Sequence, residues 1–279
     1  LSMRSSAVWV ARILSAMVNS QDENGVLMGN WSGNYEGGES PTFWNGSVKI
    51  LQQYYDTKKP VKYGQCWVYS GIMTTALRAI GIPARSVTNY DSAHDTDNTM
   101  TIDKFIDEEG EMVDGLNRDS IWNFHVWNEI WTKRGDLPGS KYDGWQAVDA
   151  TPQEESFQLY QLGPAPVNAV KEGEVYAGFD TGFVFAEVNA DVVTWVVKVR
   201  NNRYALQRTK SQLKDRVGQY ISTKRVGSWA REDLTHLYKY PEKTEKERKA
   251  FQTAYSFGAG AKNWAGFLNV EEEGDDLVL

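Results

Sequence analysis

One cysteine stands in the whole sequence, Cys66, so any thiol chemistry of this chain must use it. The usual place for a lone cysteine is the interior, as a small apolar side chain. A nucleophile needs the thiolate, and an unperturbed thiol is only about 3% ionised at neutral pH. A helix N-terminus and a neighbouring imidazolium both favour the ionised form. Gly64 and Gln65, followed by a periodic apolar run, predict that Cys66 sits at or near the first turn of a helix.

Three histidines could supply the imidazolium: His94, His125 and His236. His94 lies in an Asp-rich, turn-like stretch, and His236 lies beside a charged segment. His125 lies in the apolar run Trp122-Asn123-Phe124-His125-Val126-Trp127. A histidine there is by default a satisfied interior group. Strand alternation, however, puts His125, Trp127, Glu129 and Trp131 on one face, a set unlike plain core. A third group must hold the imidazole in one tautomer. Asp149 closes the apolar run Gly144-Trp145-Gln146-Ala147-Val148-Asp149, and a carboxylate at the tip of a buried strand needs a partner. Cys, then His, then an acid is the chain order of papain-like thiol enzymes.

The elements that must position these groups follow from periodicity. Over residues 66–80, Val68, Ile72, Ala76 and Ile80 form one row, with Tyr69, Met73 and Leu77 beside it. Two adjacent rows predict a mostly buried helix, which Gly81 stops and Pro83 keeps from resuming. A short helix is expected over 47–55 and a charged one over 242–252. Strands are expected over 85–90, 124–132 and 145–149. Residues 175–199 are expected to add several more, including Phe183-Val184-Phe185 and the run 192–199. Helix first and strands after imply an α+β fold, the helix packed on a mostly antiparallel sheet. The first 50 residues mix short apolar runs with Gly- and Asn-rich turns. The basic stretch 198–216 reads as a solvated hairpin. From about residue 256 the chain turns Gly- and Ala-rich, then acidic, as a linker or tail does.

Composition excludes several classes. The net charge is −7, with five of the negatives at Glu271, Glu272, Glu273, Asp275 and Asp276. The remainder is near neutral, so charge gives no case for nucleic-acid binding. No apolar run reaches the roughly 20 residues that cross a bilayer, and the first residues lack a signal-peptide pattern. A single cysteine fits a reducing compartment. A cytoplasmic protein, or one released without a signal peptide, is the expectation.

At this point several segments together resemble the animal transglutaminases, the protein-glutamine gamma-glutamyltransferases. Tyr63-Gly64-Gln65-Cys66-Trp67-Val68 is similar to the family's active-site signature, as are residues 122–131 and 144–154. So are Gly81-Ile82-Pro83-Ala84-Arg85, Thr88-Asn89-Tyr90, Ser92-Ala93-His94-Asp95, residues 183–191 and Ile221-Ser222-Thr223-Lys224. The resemblance spans roughly residues 8–255. It implies a papain-like cysteine-protease-type core with Cys66, His125 and Asp149 as the catalytic triad. The activity implied is transfer of a protein glutamine acyl group to a lysine or polyamine amine through a Cys thioester, releasing ammonia. Glutamine deamidation is the side reaction. The partners implied are glutamine-containing and lysine-containing proteins or polyamines. Trp31 matches the family's oxyanion donor and Trp122 the second wall of its amine tunnel. The family's flanking β-sandwich and two β-barrels are not visible, and the chain begins inside the family's core, with residues 1–255 as core and 256–279 as tail.

The run Asp95-Thr96-Asp97-Asn98-Thr99-Met100-Thr101-Ile102-Asp103 places oxygens at alternate positions, as hard cations such as Ca²⁺ prefer. Alone, it reads equally as a solvated acidic loop. The resemblance implies Ca²⁺ as cofactor, with Asp95, Asp97, Thr99, Thr101 and Asp119 at one site. Asn189, Glu242 and Glu247, with backbone near Lys214, match a second. Asn19 and the Ala16 carbonyl match a third, where Gln21 and Glu23 replace a shorter amide and acid. Two other functions stay open at this level: a non-catalytic scaffold of the same fold, and a thiol protease of similar geometry.

Overall fold

A computed structural model of the protein describes residues 3–22, 24–200 and 203–258. In chain order the elements are α1 (Ala7–Val18), β1 (Leu27–Gly29), α2 (Val48–Thr57), β2 (Val61–Gly64), α3 (Cys66–Ala79), β3 (Ala84–His94), β4 (Thr101–Ile106), β5 (Ser120–Thr132) and β6 (Gly144–Asp149). Then follow β7 (Leu162–Pro166), α4 (Val167–Glu172), α5 (Thr181–Asn189), β8 (Asp191–Arg200), β9 (Arg203–Leu213), β10 (Tyr220–Lys224), β11 (Arg231–Asp233), α6 (Thr235–Tyr238) and α7 (Glu245–Phe257). The central sheet has the order β11-β10-β3-β5-β6-β7, and every pairing in it is antiparallel. Strands β4, β8 and β9 form a smaller mixed sheet, and β1 and β2 a parallel pair. The expected α+β layout is the one found.

Helix α3 behaves as its two apolar rows require. Val68, Tyr69, Ile72, Met73 and Leu77 are buried and share one core with Ala11, Val18, Ile50, Ile130 and Val148. Its end is a Schellman turn: Ile82 N–H donates to Leu77 O (2.9 Å) and Gly81 N–H to Arg78 O (3.1 Å). Gly81 takes the left-handed φ of 85° that this turn demands. A second core on the other side of the sheet gathers Val87, Trp127, Val184, Phe185, Val188, Ile221 and Tyr238.

Between α3 and the sheet runs a buried polar seam. Ser70 Oγ lies within hydrogen-bond distance of Trp127 O (3.0 Å) and of Ser86 Oγ (2.8 Å). Asn128 Nδ2 donates to Ser70 O (3.1 Å) and Thr74 Oγ1 (2.7 Å). Ser70 and Asn128 are almost wholly buried, where such groups must be paired. Apolar packing alone would tolerate small rotations of the helix. These directional bonds fix its rotation and height over β3 and β5, and with them the position of Cys66.

The structure corrects the expectation of several strands over residues 175–199, where β8 is the one strand found. Phe183-Val184-Phe185 belongs to helix α5, not to a strand. A short apolar run buried on all sides carries no period that separates the two; eight of the nine α5 residues are buried. Helix α1 was not legible among the turns of the first 50 residues, and the acidic tail from residue 259 lies outside the described residues.

Ile72 is fully buried on α3. Ile72→Ala should lower unfolding stability by about 2–5 kcal/mol, read as a lower urea midpoint with an unchanged slope.

Candidate active site

Cys66 is the first residue of α3 and is 3% exposed. First-turn amides have no acceptor within their own helix, so the backbone around Cys66 offers N–H groups and the positive end of the helix dipole. Ahead of it, Gln65 is tied down by a bond from its Nε2 to Asn30 O (2.8 Å). That bond brings the Asn30–Trp31 segment against the start of α3.

His125 arrives from β5 and Asp149 from β6. The strand register pairs Asn128 with Val148, so Asp149 lies diagonally across from His125. His125 Nε2 meets Asp149 Oδ2 at 2.6 Å, both side chains nearly inaccessible. With Nε2 committed, Nδ1 is the nitrogen left to face the sulfur, and Cys66 is close enough to act on the imidazole's charge. Burial by itself lowers the His125 pKa. The Asp149 charge and hydrogen bond, together with Cys66, outweigh it and hold His125 well above the ordinary histidine value. The three residues singled out in the sequence therefore meet.

Asp149 is itself clamped. Its Oδ1 accepts from Thr151 N–H (2.8 Å) and its Oδ2 from Gln153 Nε2 (3.1 Å). The same Gln153 amide donates to Glu187 Oε1 (3.0 Å), which lies 3.7 Å from His125 Nε2. Burial, then the Asp149 charge, raise Glu187 to about 8, although the His125 charge opposes the rise. His125, Asp149 and Glu187 bring three ligand-type atoms within 4.8 Å of one another. The direct His–Asp bond and the Gln153 bridge use those atoms among themselves. Gln153 and Glu187 were not found in the sequence: Glu187 sits in the helix mistaken for a strand, and an amide gives no pattern of its own.

The mouth of the site is aromatic. The rings of Trp31 and Trp122 stand 6.3 Å apart, nearly perpendicular, and Trp31 stacks on Tyr69 at 6.5 Å. Trp31 is 40% exposed, while the Trp122 indole N–H is buried and without a hydrogen-bond partner. Beyond Trp122, His94 closes strand β3, not the expected turn, and its Nε2 lies 2.9 Å from Glu154 Oε1. A cavity of about 580 Å³ opens there, lined by Asp95, Asp97, Thr151, Gln153, Glu154 and Phe183 among others. Further along the expected His125 face, Trp127 and Glu129 serve the core instead. Trp127 Nε1 donates to Tyr238 Oη (3.0 Å), Tyr238 Oη to Glu129 Oε1 (2.5 Å), and Arg85 Nε to Glu129 Oε2 (2.6 Å). Trp131 is 55% exposed and packs edge-on to Trp145, away from the site.

The acidic loop closes into a cluster. Asp95, Asp97 and Asp119 bring donor oxygens within 4.8 Å of one another. Backbone N–H groups of Asp97, Thr99 and Met100 point at Asp95, and those of Thr96 and Asp103 at Asp119. Thr99 and Thr101 direct their hydroxyls to Asp103 Oδ2 (3.2 and 2.9 Å). Burial pushes Asp95 up to about 8 and Asp103 to about 7, and raises Asp119. The donor set, all oxygen with three carboxylates, fits a hard cation.

The other two expected clusters are held differently. Asn189 and Glu247 are buried, but the Arg248 guanidinium binds Glu247 (2.5 and 2.6 Å) and Asp191 (2.8 and 2.9 Å). Lys239 pairs with Glu242. Asn19 is fully buried, with Nδ2 on Ser15 O and Tyr160 O and with Oδ1 accepting from Gln21 N–H. Ala16 is buried in α1, and Glu23 lies outside the described residues.

Residues 32–150 match the model of the transglutaminase-like superfamily. Annulin of Schistocerca americana is 56% identical over 88% of this chain, and human protein-glutamine gamma-glutamyltransferase 4 is 47% identical over 99% of it. The structure of red sea bream transglutaminase superposes with a TM-score of 0.76 at 45% identity, covering 90% of this chain and 37% of that one. The chain spans between 32% and 41% of the length of these two curated relatives.

With three histidines in the sequence, the His125 charge can be followed by NMR. Its midpoint should lie above the ordinary value near 6.5. In Asp149→Asn the largest group opposing burial is lost and only the Cys66 contribution remains against it, so the imidazole should become neutral at a lower pH than in the parent. An unchanged midpoint in the variant would show that Asp149 does not hold the charge.

Proposed function

The chain belongs to the transglutaminase-like superfamily, and from the geometry of its site we propose that it carries the acyl-transfer centre of a protein-glutamine gamma-glutamyltransferase. The observation that supports this best is the buried Cys66–His125–Asp149 set at a helix start, with the indole pair in front of it.

An imidazolium held by a carboxylate is the partner a thiolate needs. The Cys66 sulfur attacks the carbonyl carbon of a glutamine carboxamide. The tetrahedral oxyanion is met by the Cys66 backbone N–H and an indole N–H, Trp31 in the family's arrangement, with the buried Trp122 N–H across from it. One such donor contributes about 3 kcal/mol to barrier lowering. His125 gives its proton to the nitrogen, the C–N bond breaks, and ammonia leaves a thioester on Cys66. A lysine or polyamine amine then attacks the thioester, His125 takes its proton, and the Cys66 thiolate returns as the isopeptide bond forms. Water in place of the amine yields glutamate. Substrates are thus glutamine-bearing proteins and primary amines.

Calcium is the proposed cofactor, held first by Asp95, Asp97 and Asp119, with the Thr99 and Thr101 hydroxyls and Asp103 beside them. Bound there, it supplies the positive charge that three crowded carboxylates lack. At the Asn189, Glu242 and Glu247 cluster an ion must first displace Arg248 and Lys239. Asn19, Ala16 and Glu23 are the proposed third position. Among the described residues no helix is long and apolar enough to cross a membrane.

Incorporation of a fluorescent primary amine into a glutamine-rich protein, in millimolar Ca²⁺, should be abolished by Cys66→Ala and by chelation. Incorporation that survives either change would refute the mechanism. Calcium should also raise the melting temperature of the chain by about 2 °C or more. Asp97→Asn should shrink that shift.

A further inference from the structure

An exposed row of aromatic rings leads away from Cys66 across the sheet. Trp67, next to the nucleophile, lies 6.0 Å from Phe124, Phe124 lies 6.4 Å from Tyr90, and Tyr90 stacks on Tyr220 at 6.0 Å. The last three are direct cross-strand neighbours, Tyr220 opposite Tyr90 and Tyr90 opposite Phe124, on β10, β3 and β5. Each is substantially exposed: Phe124 39%, Tyr90 42%, Tyr220 36%.

The reason lies in the length of α3. The helix covers the sheet where Ser86 pairs with Asn128. It begins at Cys66, so beyond its first turn the same face meets only the Trp67 ring, and Phe124 and Tyr90 stay 39% and 42% exposed. Trp122, two residues before Phe124 on β5, shares that face. The row is therefore continuous with the indole pair at the site. Contiguous exposed aromatic surface of this kind marks an interaction site. Its spacing also selects the occupant. In an extended polypeptide, side chains on one face recur about every 6.7 Å, close to the ring spacing here. A chain laid across the strands sets one alternate side chain at each ring.

We propose that Trp67, Phe124, Tyr90 and Tyr220 form a docking strip for the extended polypeptide that flanks a substrate glutamine, selecting apolar side chains at alternate positions. This rests on the acyl-transfer reading, and it names what that site would select besides the glutamine itself. The Arg216–Asp91 ion pair (2.8 Å) lies beside Tyr90 as part of a polar rim.

The test separates docking from chemistry. Binding of fluorescent glutamine peptides to the full chain carrying Cys66→Ala is measured by anisotropy. One peptide has apolar residues at alternate positions before the glutamine, one has them after it, and one has serine at all those positions. At least one apolar peptide should bind about fivefold or more tightly than the serine peptide. In Tyr90→Thr/Tyr220→Thr, and separately in Phe124→Thr, that preference should vanish with the melting temperature within about 2 °C of the parent. A preference that persists in both variants overturns the strip. So does its absence in the parent, or sedimentation showing that the strip instead joins two copies of the chain. Failure of the wild-type chain to turn over a capped glutaminyl-glycine would count against the acyl-transfer reading alone.

Discussion

A positive charge on a buried imidazole is the condition on which this site turns. Burial works against it, and without compensation His125 would be neutral and of little use to a thiolate. The largest part of the compensation is one carboxylate at 2.6 Å, with Cys66 adding to it, and that carboxylate is in turn a buried charge. It can stay only because its other lone pairs are met by the Thr151 amide and the Gln153 side chain. The requirement thus passes outward: charge on the ring, carboxylate beneath it, amides beneath the carboxylate, and the β5–β6 register holding all of them in line.

Cys66 is placed by a different device. Cys66 rides on a helix whose apolar side belongs to one core, while Trp127 on the opposite face of β5 belongs to the other. The Ser70, Thr74, Ser86 and Asn128 bonds couple the helix to the strand that carries His125. The sulfur and the imidazole therefore derive their positions from the same strand. A disturbance in either core reaches their separation through that seam.

Much of this was legible in the sequence because it rests on period and punctuation. The α3 rows, the Gly81 stop and the β5 and β6 runs all appear where alternation and turn residues place them. Cys66, His125 and Asp149 were candidates because the chain has one cysteine, few histidines and a carboxylate at the tip of an apolar run, and the resemblance grouped them as a triad. What escaped was tertiary. Helix α5 is buried on nearly all sides and so shows no face, which hid Glu187. Glu129 looked like a cleft residue because its salvage comes from Arg85 and Tyr238, 44 and 109 residues away. Alternation put it on one face with His125, Trp127 and Trp131, of which only Trp131 is exposed, yet had no means to tell a charge used for structure from one used for chemistry. Arg248 likewise lies one residue from an expected metal ligand, and only the fold shows it neutralising that ligand and Asp191 together.

The solitary sulfur has a practical consequence. Every covalent adduct that a thiol reagent leaves on this chain's sulfur maps to Cys66, a residue 3% exposed at the start of α3. Reagent consumed per mole of folded protein then counts intact Cys66. Oxidative loss of that stoichiometry, whether through sulfenic acid or a mixed disulfide with a small thiol, cannot be masked by a second cysteine.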